Sequence, residues 1–246
     1  MLLFAKSLNM LTDTASKTDD FEEGTGVLLR QRKLAEIVEM ISAAYSIHKS
    51  VLNLPNELPL EAEEDAKDDL LQLEYGNKIA ILGGDYLLAN ACVGLADLRN
   101  TYIVEMMAIA IGEFTQSEFV GNRDVQGRLI PCAESITLKS WLYRNKMASA
   151  SLLASGFKGM AMLPNLPDDV TEKAERVGRN FGLALQAFIE MQPFLESGNY
   201  DHTPNLSYAP ILFHLQNDQD LLKYIQNCDN DIDNLDFKKV LLLLLC

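Results

Sequence analysis

Histidines, cysteines and a few isolated carboxylates are the side chains in this sequence whose types could do chemistry. His48 falls on one helical face with Ile41 and Tyr45, which is the setting of a buried structural histidine rather than of a base or ligand. Asp85 lies among apolar residues in "GGDYLL", where a carboxylate facing a partner or hydrogen-bonded internally is expected. Gly112 and Glu113 of "GEFTQ", with Gln116 one turn from Gly112, suit a contact between helices. Glu190 is a lone acid near a helix end, and a solvated side chain is expected there. His202 and His214 fall in or near a C-terminal helix, without a nucleophile elbow to serve. "GGD" within a helical pattern is not a phosphate loop. Cys92, Cys132, Cys228 and Cys246 are far apart and form no CxxC pair, so a zinc ribbon or finger is not indicated. Cys92 reads as a small core residue, and the cysteine usage fits a reducing compartment.

Composition narrows the classes further. Of 246 residues, 48% are hydrophobic, enough for a sizeable core, and the formal net charge is -14. A surface so acidic repels phosphate backbones and anionic bilayers, so no nucleic-acid role is expected. The start, "MLLFAKSLNMLTD", is a poor secretory signal and too short and arginine-poor for a clear presequence. No transmembrane segment is expected: "VLLLLLC" has seven residues, and Lys78, Asp85, Asp97 and Arg99 interrupt the apolar stretch 77–99.

These groups must be held by helices. Leu34, Ile37, Val38, Ile41, Ala44, Tyr45, His48 and Leu52 share a face at 3.6-residue spacing, with Pro55 and Pro59 as the stop. The acidic run Glu61 to Asp69 reads as a solvated connector. Residues 77–99 read as a buried helix. Ala80, Gly83, Gly84, Ala91 and Gly94 are small, and each glycine costs about 1 kcal/mol against alanine, so another backbone is expected close by. Further helices are expected over about 102–119, over 134–163 with one break, from Asp168 or Asp169 to Leu195 ahead of Gly198 and Asn199, and over 208–227. Met106, Met107, Met147, Met160 and Met162 fill the core. The class is all-α, with residues 1–29 poorly ordered, a helical domain over 30–228, and an atypical acidic and leucine-rich tail over 229–246.

Four motifs in order carry a resemblance. "GNKIAILGGDYLLANACVGLADLRN" (76–100), "GEFTQ" (112–116), "ASASLLASGFKGMAML" (148–163) and "FGLALQ" (181–186) resemble successive helices of the all-trans polyprenyl diphosphate synthases. Within that family, "RQRKLAEI", "VLNLPNEL", "LLANAC", "MQPF" and "YAPILFH" are similar to the subunit-2 class of decaprenyl (solanesyl) diphosphate synthases. The resemblance implies an isoprenoid synthase-like bundle, here without its last helices.

The same alignment exposes departures. Active members hold Mg²⁺ and an allylic diphosphate through two aspartate-rich motifs, and Mg²⁺ wants oxygen ligands. Here the first motif's positions hold Lys49, Ser50 and Asn53, and the second's hold Ile189, Glu190 and Pro193. A cation at Lys49 acts against a metal: unit charges about 4 Å apart interact by about 4 kcal/mol at an effective dielectric near 20. Pro193 lacks an N–H and should disturb its helix. The arginine pair after the first motif is absent, and Ala148 stands for the lysine of the "KTASL" segment.

By resemblance, then, the chain is a non-catalytic, stabilising subunit of a heteromeric synthase, a pseudoenzyme that binds no metal itself. Its partner is the catalytic subunit 1 of a decaprenyl or solanesyl diphosphate synthase, which carries the Mg²⁺. The complex, a heterotetramer, builds the ubiquinone side chain from isopentenyl diphosphate and an allylic diphosphate in mitochondria. Gly84, Leu88, Ala91 and Leu95 are the expected contact with that partner. Two other readings remain open from the residues alone: an active prenyltransferase with a divergent site, and a stand-alone helical lipid-binding or scaffold protein.

Overall fold

The structure, a computed structural model, describes residues 1–11, 25–54, 64–124, 128–132, 135–195 and 205–227. Its elements are α1 (Leu2–Leu11), α2 (Leu29–Lys49), α3 (Glu64–Asp97), α4 (Thr101–Ser117), β1 (Asn122–Arg123), β2 (Leu129–Ile130), α5 (Leu138–Asn145), α6 (Ser151–Met162), α7 (Asp168–Leu195), α8 (Ala209–Leu215) and α9 (Gln219–Gln226). The chain divides into unit 1, Met1–Ile111 with Leu152–Gly178, and unit 2, Gly112–Ser151 with Arg179–Cys246.

Unit 1 is organised by the pairing of α2 with α3. Leu34, Ile37, Val38, Ile41 and Ala44 are buried along α2, as their spacing requires; Ala91 and Leu95 are buried along α3, and Leu98 just beyond its end. Fully burying each large aliphatic side chain is worth roughly 1.5–3 kcal/mol. The helices come close because α3 offers glycines. A Cβ on Gly84 would lie 2.2 Å from the His48 ring, and one on Gly94 would lie 2.9 Å from Ile37 Cγ1. Lys33 and Asp97 close the pair at 2.7 Å.

Of the stretch 1–29, expected to be poorly ordered, residues 12–24 lie outside the described residues, and residues 2–11 depart from that expectation. They form α1, which stacks Phe4 on Phe157 with ring centroids 4.6 Å apart. Buried Asn9 donates to Gln31 Oε1 (2.8 Å), and Gln31 donates to the Met160 carbonyl (2.8 Å) and accepts from the Leu28 N–H at the start of α2. The amides satisfy one another, as burial demands.

Several boundaries also move. The acidic run is not all connector: residues 64–69 are the opening turns of α3. The α3 helix is not buried all round; Ile79, Leu82, Tyr86 and Val93 are exposed, and so is Cys92, which is therefore not a core residue. Among the described residues, Lys67–Asp97 is the one helix long and apolar enough to cross a membrane, a longer segment than the 77–99 from which no span was expected. Pro55, Pro59, Gly198, Asn199, His202, Cys228, Cys246 and the tail 229–246 lie outside the described residues.

Unit 2 gathers Ile130, Ile136, Trp141, Leu206, Ile211, Leu212, Leu215, Leu221, Leu222 and Ile225 into one core. The expected 208–227 helix is two helices, because Asp218 caps α9 through the N–H groups of Asp220 and Leu221. A short antiparallel ladder pairs Asn122 with Ile130 and Arg123 with Leu129, too brief for an alternating pattern to reveal. The expected break within 134–163 is a single π-turn at Lys146–Ala150, a feature frequent at functional sites.

Candidate functional site

The residues at the first motif's positions lie in unit 1, at the end of α2 rather than along it. Lys49 is the last helical residue, Ser50 is the C-cap, and Asn53 follows beyond the helix. Three groups so placed do not share a helical face, as carboxylates at i and i+4 would. The Lys49 ammonium stands 5.6 Å from the Tyr45 ring centroid, a cation–π distance. The Ser50 hydroxyl donates to the Ile47 carbonyl at 2.7 Å. Asn77 on α3 clamps the segment, accepting from the Leu52 N–H (2.9 Å) and donating to the Leu52 carbonyl (2.8 Å).

One turn earlier, His48 lies over Gly84, with Nε2 3.2 Å from the Ile81 carbonyl and 3.4 Å from Asp85 Oδ1. The imidazole is only partly covered, so it is a packing residue on a helix seam rather than a fully buried one. Asp85, expected to face a partner or bond internally, reaches this histidine while staying mostly exposed.

Gly84, Ala91 and Leu95 are buried and Leu88 is half-buried, on the side of α3 where the Gly84 backbone meets His48 of α2. This corrects the expected contact with another subunit: α2 of the same chain already occupies the small-residue face. The free apolar face is the opposite one, carrying Ile79, Leu82, Tyr86 and Val93 at helical spacing.

The second motif's positions lie in unit 2, on the last turns of α7. Ile189 and Pro193 are exposed. The helix continues through Pro193 to Leu195, so the proline removes one rung of the hydrogen-bond ladder without breaking the rod. Glu190 is not solvated, which is a correction: it is 2% exposed. Its Oε2 accepts from the Trp141 indole N–H (2.8 Å) and from the Ala209 backbone N–H (2.7 Å), and its Oε1 accepts from Gln186 (2.9 Å). The carboxylate thus joins α5, α7 and the start of α8, and its lone pairs face protein donors.

Its charge is felt nearby. Burial raises the Tyr208 phenol above its ordinary pKa, and the Glu190 carboxylate raises it further. Burial lowers Arg144, while Glu190 pulls the other way. Glu113, of the "GEFTQ" segment, accepts from the Ser151 hydroxyl at the start of α6, the helix contact expected of it. Ala148 sits inside the π-turn, where Ser149 donates to the Asn145 carbonyl at 2.9 Å.

The residues at the motif positions do not fit a magnesium–diphosphate cluster. One set presents a cation, a hydroxyl bonded back to its own helix, and an amide; the other presents one acid already bound to three N–H groups. Among the described residues, no three His, Cys, Asp or Glu side chains gather as a metal site would require. Sequence reasoning missed the partners of Glu190. Gln186 was within reach of an i, i+4 reading, but Trp141 is 49 residues away and carries no local signal.

Comparison with known proteins adds the kinship. The polyprenyl synthetase family model matches residues 68–188. The chain is 33% identical over 216 residues to "All trans-polyprenyl-diphosphate synthase PDSS2" of Rattus norvegicus, covering 87% of this chain and 52% of that one. It is 29% identical over 198 residues to "Probable hexaprenyl pyrophosphate synthase, mitochondrial" of Yarrowia lipolytica, covering 78% and 42%. The chain therefore spans about half the length of these curated relatives. Among solved structures, the apo form of an Arabidopsis medium/long-chain length prenyl pyrophosphate synthase superposes with a TM-score of 0.67 at 25% identity, over 99% of this chain and 69% of the other.

Proposed function

From its similarity to the polyprenyl synthetases over residues 68–188, we propose that this chain works as a non-catalytic, stabilising subunit of a heteromeric trans-polyprenyl diphosphate synthase. The catalytic partner joins isopentenyl diphosphate to an allylic diphosphate, using Mg²⁺ held by its own aspartates, and the long product becomes the ubiquinone side chain. This chain binds no metal, keeps the partner folded and influences product length. Its place of work is the mitochondrion.

One observation carries the reading. Glu190 is the only acid at either motif position, and its oxygens accept three N–H groups inside unit 2. Freeing it for a cation would leave the Trp141 and Ala209 donors unsatisfied, at about 1–3 kcal/mol each. The cation Lys49 at the first motif's position points the same way, because it repels a dication.

The test is expression of this chain alone, of the catalytic subunit alone, and of the two together, each assayed for incorporation of radiolabelled isopentenyl diphosphate with Mg²⁺ in excess. The expected result is a stable complex on size exclusion, with full elongation only in the pair. Elongation by the isolated chain overturns the proposal.

A further inference from the structure

Unit 2 contains a cavity of about 470 Å³ that the proposed role leaves unused. It lies between the β1–β2 ladder, the first two turns of α5 and the segment leading into α8. Leu129, Ile130, Pro131 and Leu212 give it an apolar wall. Lys139 and Arg144 line it as well, two cations in a chain whose net charge is -14. A volume of this size with an apolar wall and a few convergent polar groups is typical of small-molecule sites.

The charge balance at this cavity is uneven. Glu118 is paired with Arg123 at 3.2 Å, and Glu190 accepts from Trp141, Gln186 and Ala209. Arg144 donates to the Ser207 carbonyl at 2.7 Å, and among the described residues neither it nor Lys139 has a carboxylate within ion-pair distance. A half-buried guanidinium has five donors in a planar fork that suits an oxyanion in two-pronged contact. Burial lowers the Arg144 pKa, and the charges of Glu190 and Glu118 offset that only in part, so an anion placed directly on the guanidinium would be favoured.

We infer that the cavity binds a small amphiphilic anion, an oxyanion head on Arg144 and Lys139 with a short apolar body against Ile130 and Leu212. Carboxylate and phosphate heads share this chemistry, and the experiment separates them. The inference stands apart from the proposed subunit role.

Equilibrium dialysis of the full chain against octanoate, octyl phosphate, inorganic phosphate and octanol is the direct test. Binding is expected for at least one octyl anion in the sub-millimolar range. Octanol and inorganic phosphate should bind at least about tenfold more weakly, because each supplies half of the recognition. Which octyl anion binds identifies the head group. Cys132 lines the cavity, and exposed Cys92 belongs to unit 1, so bound ligand should slow iodoacetamide labelling of the first and spare the second. Arg144→Gln should weaken binding about tenfold or more. Lys139→Gln, at an exposed residue, should weaken it severalfold and tests the site even if the arginine variant fails to fold. Binding of neither octyl anion, equal binding of octanol, or unchanged affinity in Lys139→Gln overturns the inference.

Discussion

At the scale of single residues, Glu190 serves as a scaffold group. A carboxylate 2% exposed that accepts three N–H groups is a structural centre, and its removal leaves two buried donors stranded. Glu190→Ala should therefore cost about 2–5 kcal/mol, seen as a lower midpoint in urea followed by the fluorescence of Trp141, the chain's only tryptophan. Glu190→Gln keeps one acceptor oxygen and should cost less; equal loss in both would deny the hydrogen bonds their role. Tyr208 gives a pH test. Burial first, and then Glu190, raise its folded pKa above its unfolded value of about 10, so the neutral phenol is favoured by folding. Stability from this group is complete below pH 10 and is lost as pH rises through the raised folded value. Tyr208→Phe should flatten the fall in urea midpoint between about pH 9.5 and 11 relative to the parent chain.

At the scale of elements, the seam between α2 and α3 was legible in part. The apolar face of α2 and the small residues of α3 are plain in the sequence, because helical spacing and glycine content are local signals. What those small residues face was not, since periodicity gives a stripe and never its partner. The structure puts the His48 ring where a Cβ at Gly84 would lie 2.2 Å away. Gly84→Ala should cost about 1–3 kcal/mol by forcing the ring or the helices aside. Adding His48→Ala should recover much of that loss, and a double-mutant cycle measures the coupling. Additive effects would mean that the contact does not set the spacing. With that face occupied, the subunit contact of the proposed complex falls to the opposite side of α3. Tyr86→Arg with Val93→Arg, both at exposed positions, should abolish co-purification with the catalytic subunit and leave the melting temperature within about 2 °C. Retained co-purification would move the interface elsewhere. The β1–β2 ladder and the split of α8 from α9 were invisible for a different reason: two-residue strands and seven- or eight-residue helices are too short for a period to show.

At the scale of the whole molecule, the helical class and the similarity to polyprenyl synthetases could be read from four ordered motifs. The surroundings of Glu190 could not, because they depend on contacts such as Trp141 to Glu190 that only the folded chain makes. That distinction matters for whether the chain, non-catalytic in the proposed role, could be given metal chemistry. If the chain differed from an active synthase only in its ligands, then Lys49→Asp, Ser50→Asp and Asn53→Asp together would return metal binding to one half of the site. The geometry argues otherwise. Residue 49 ends α2, residue 50 caps it and residue 53 lies off the helix, so three new carboxylates would not project from one face. At the other half, Glu190 would have to leave its three donors, and Pro193 and Ile189 offer no oxygen side chain. The triple variant alone should therefore incorporate isopentenyl diphosphate at background level with Mg²⁺ in excess. Its Mg²⁺ affinity by calorimetry should stay in the weak range of surface carboxylates, about millimolar. Turnover by that variant would mean that the fold keeps a dormant catalytic site, and that three side chains, rather than the rebuilt surroundings of Glu190, separate this chain from an enzyme.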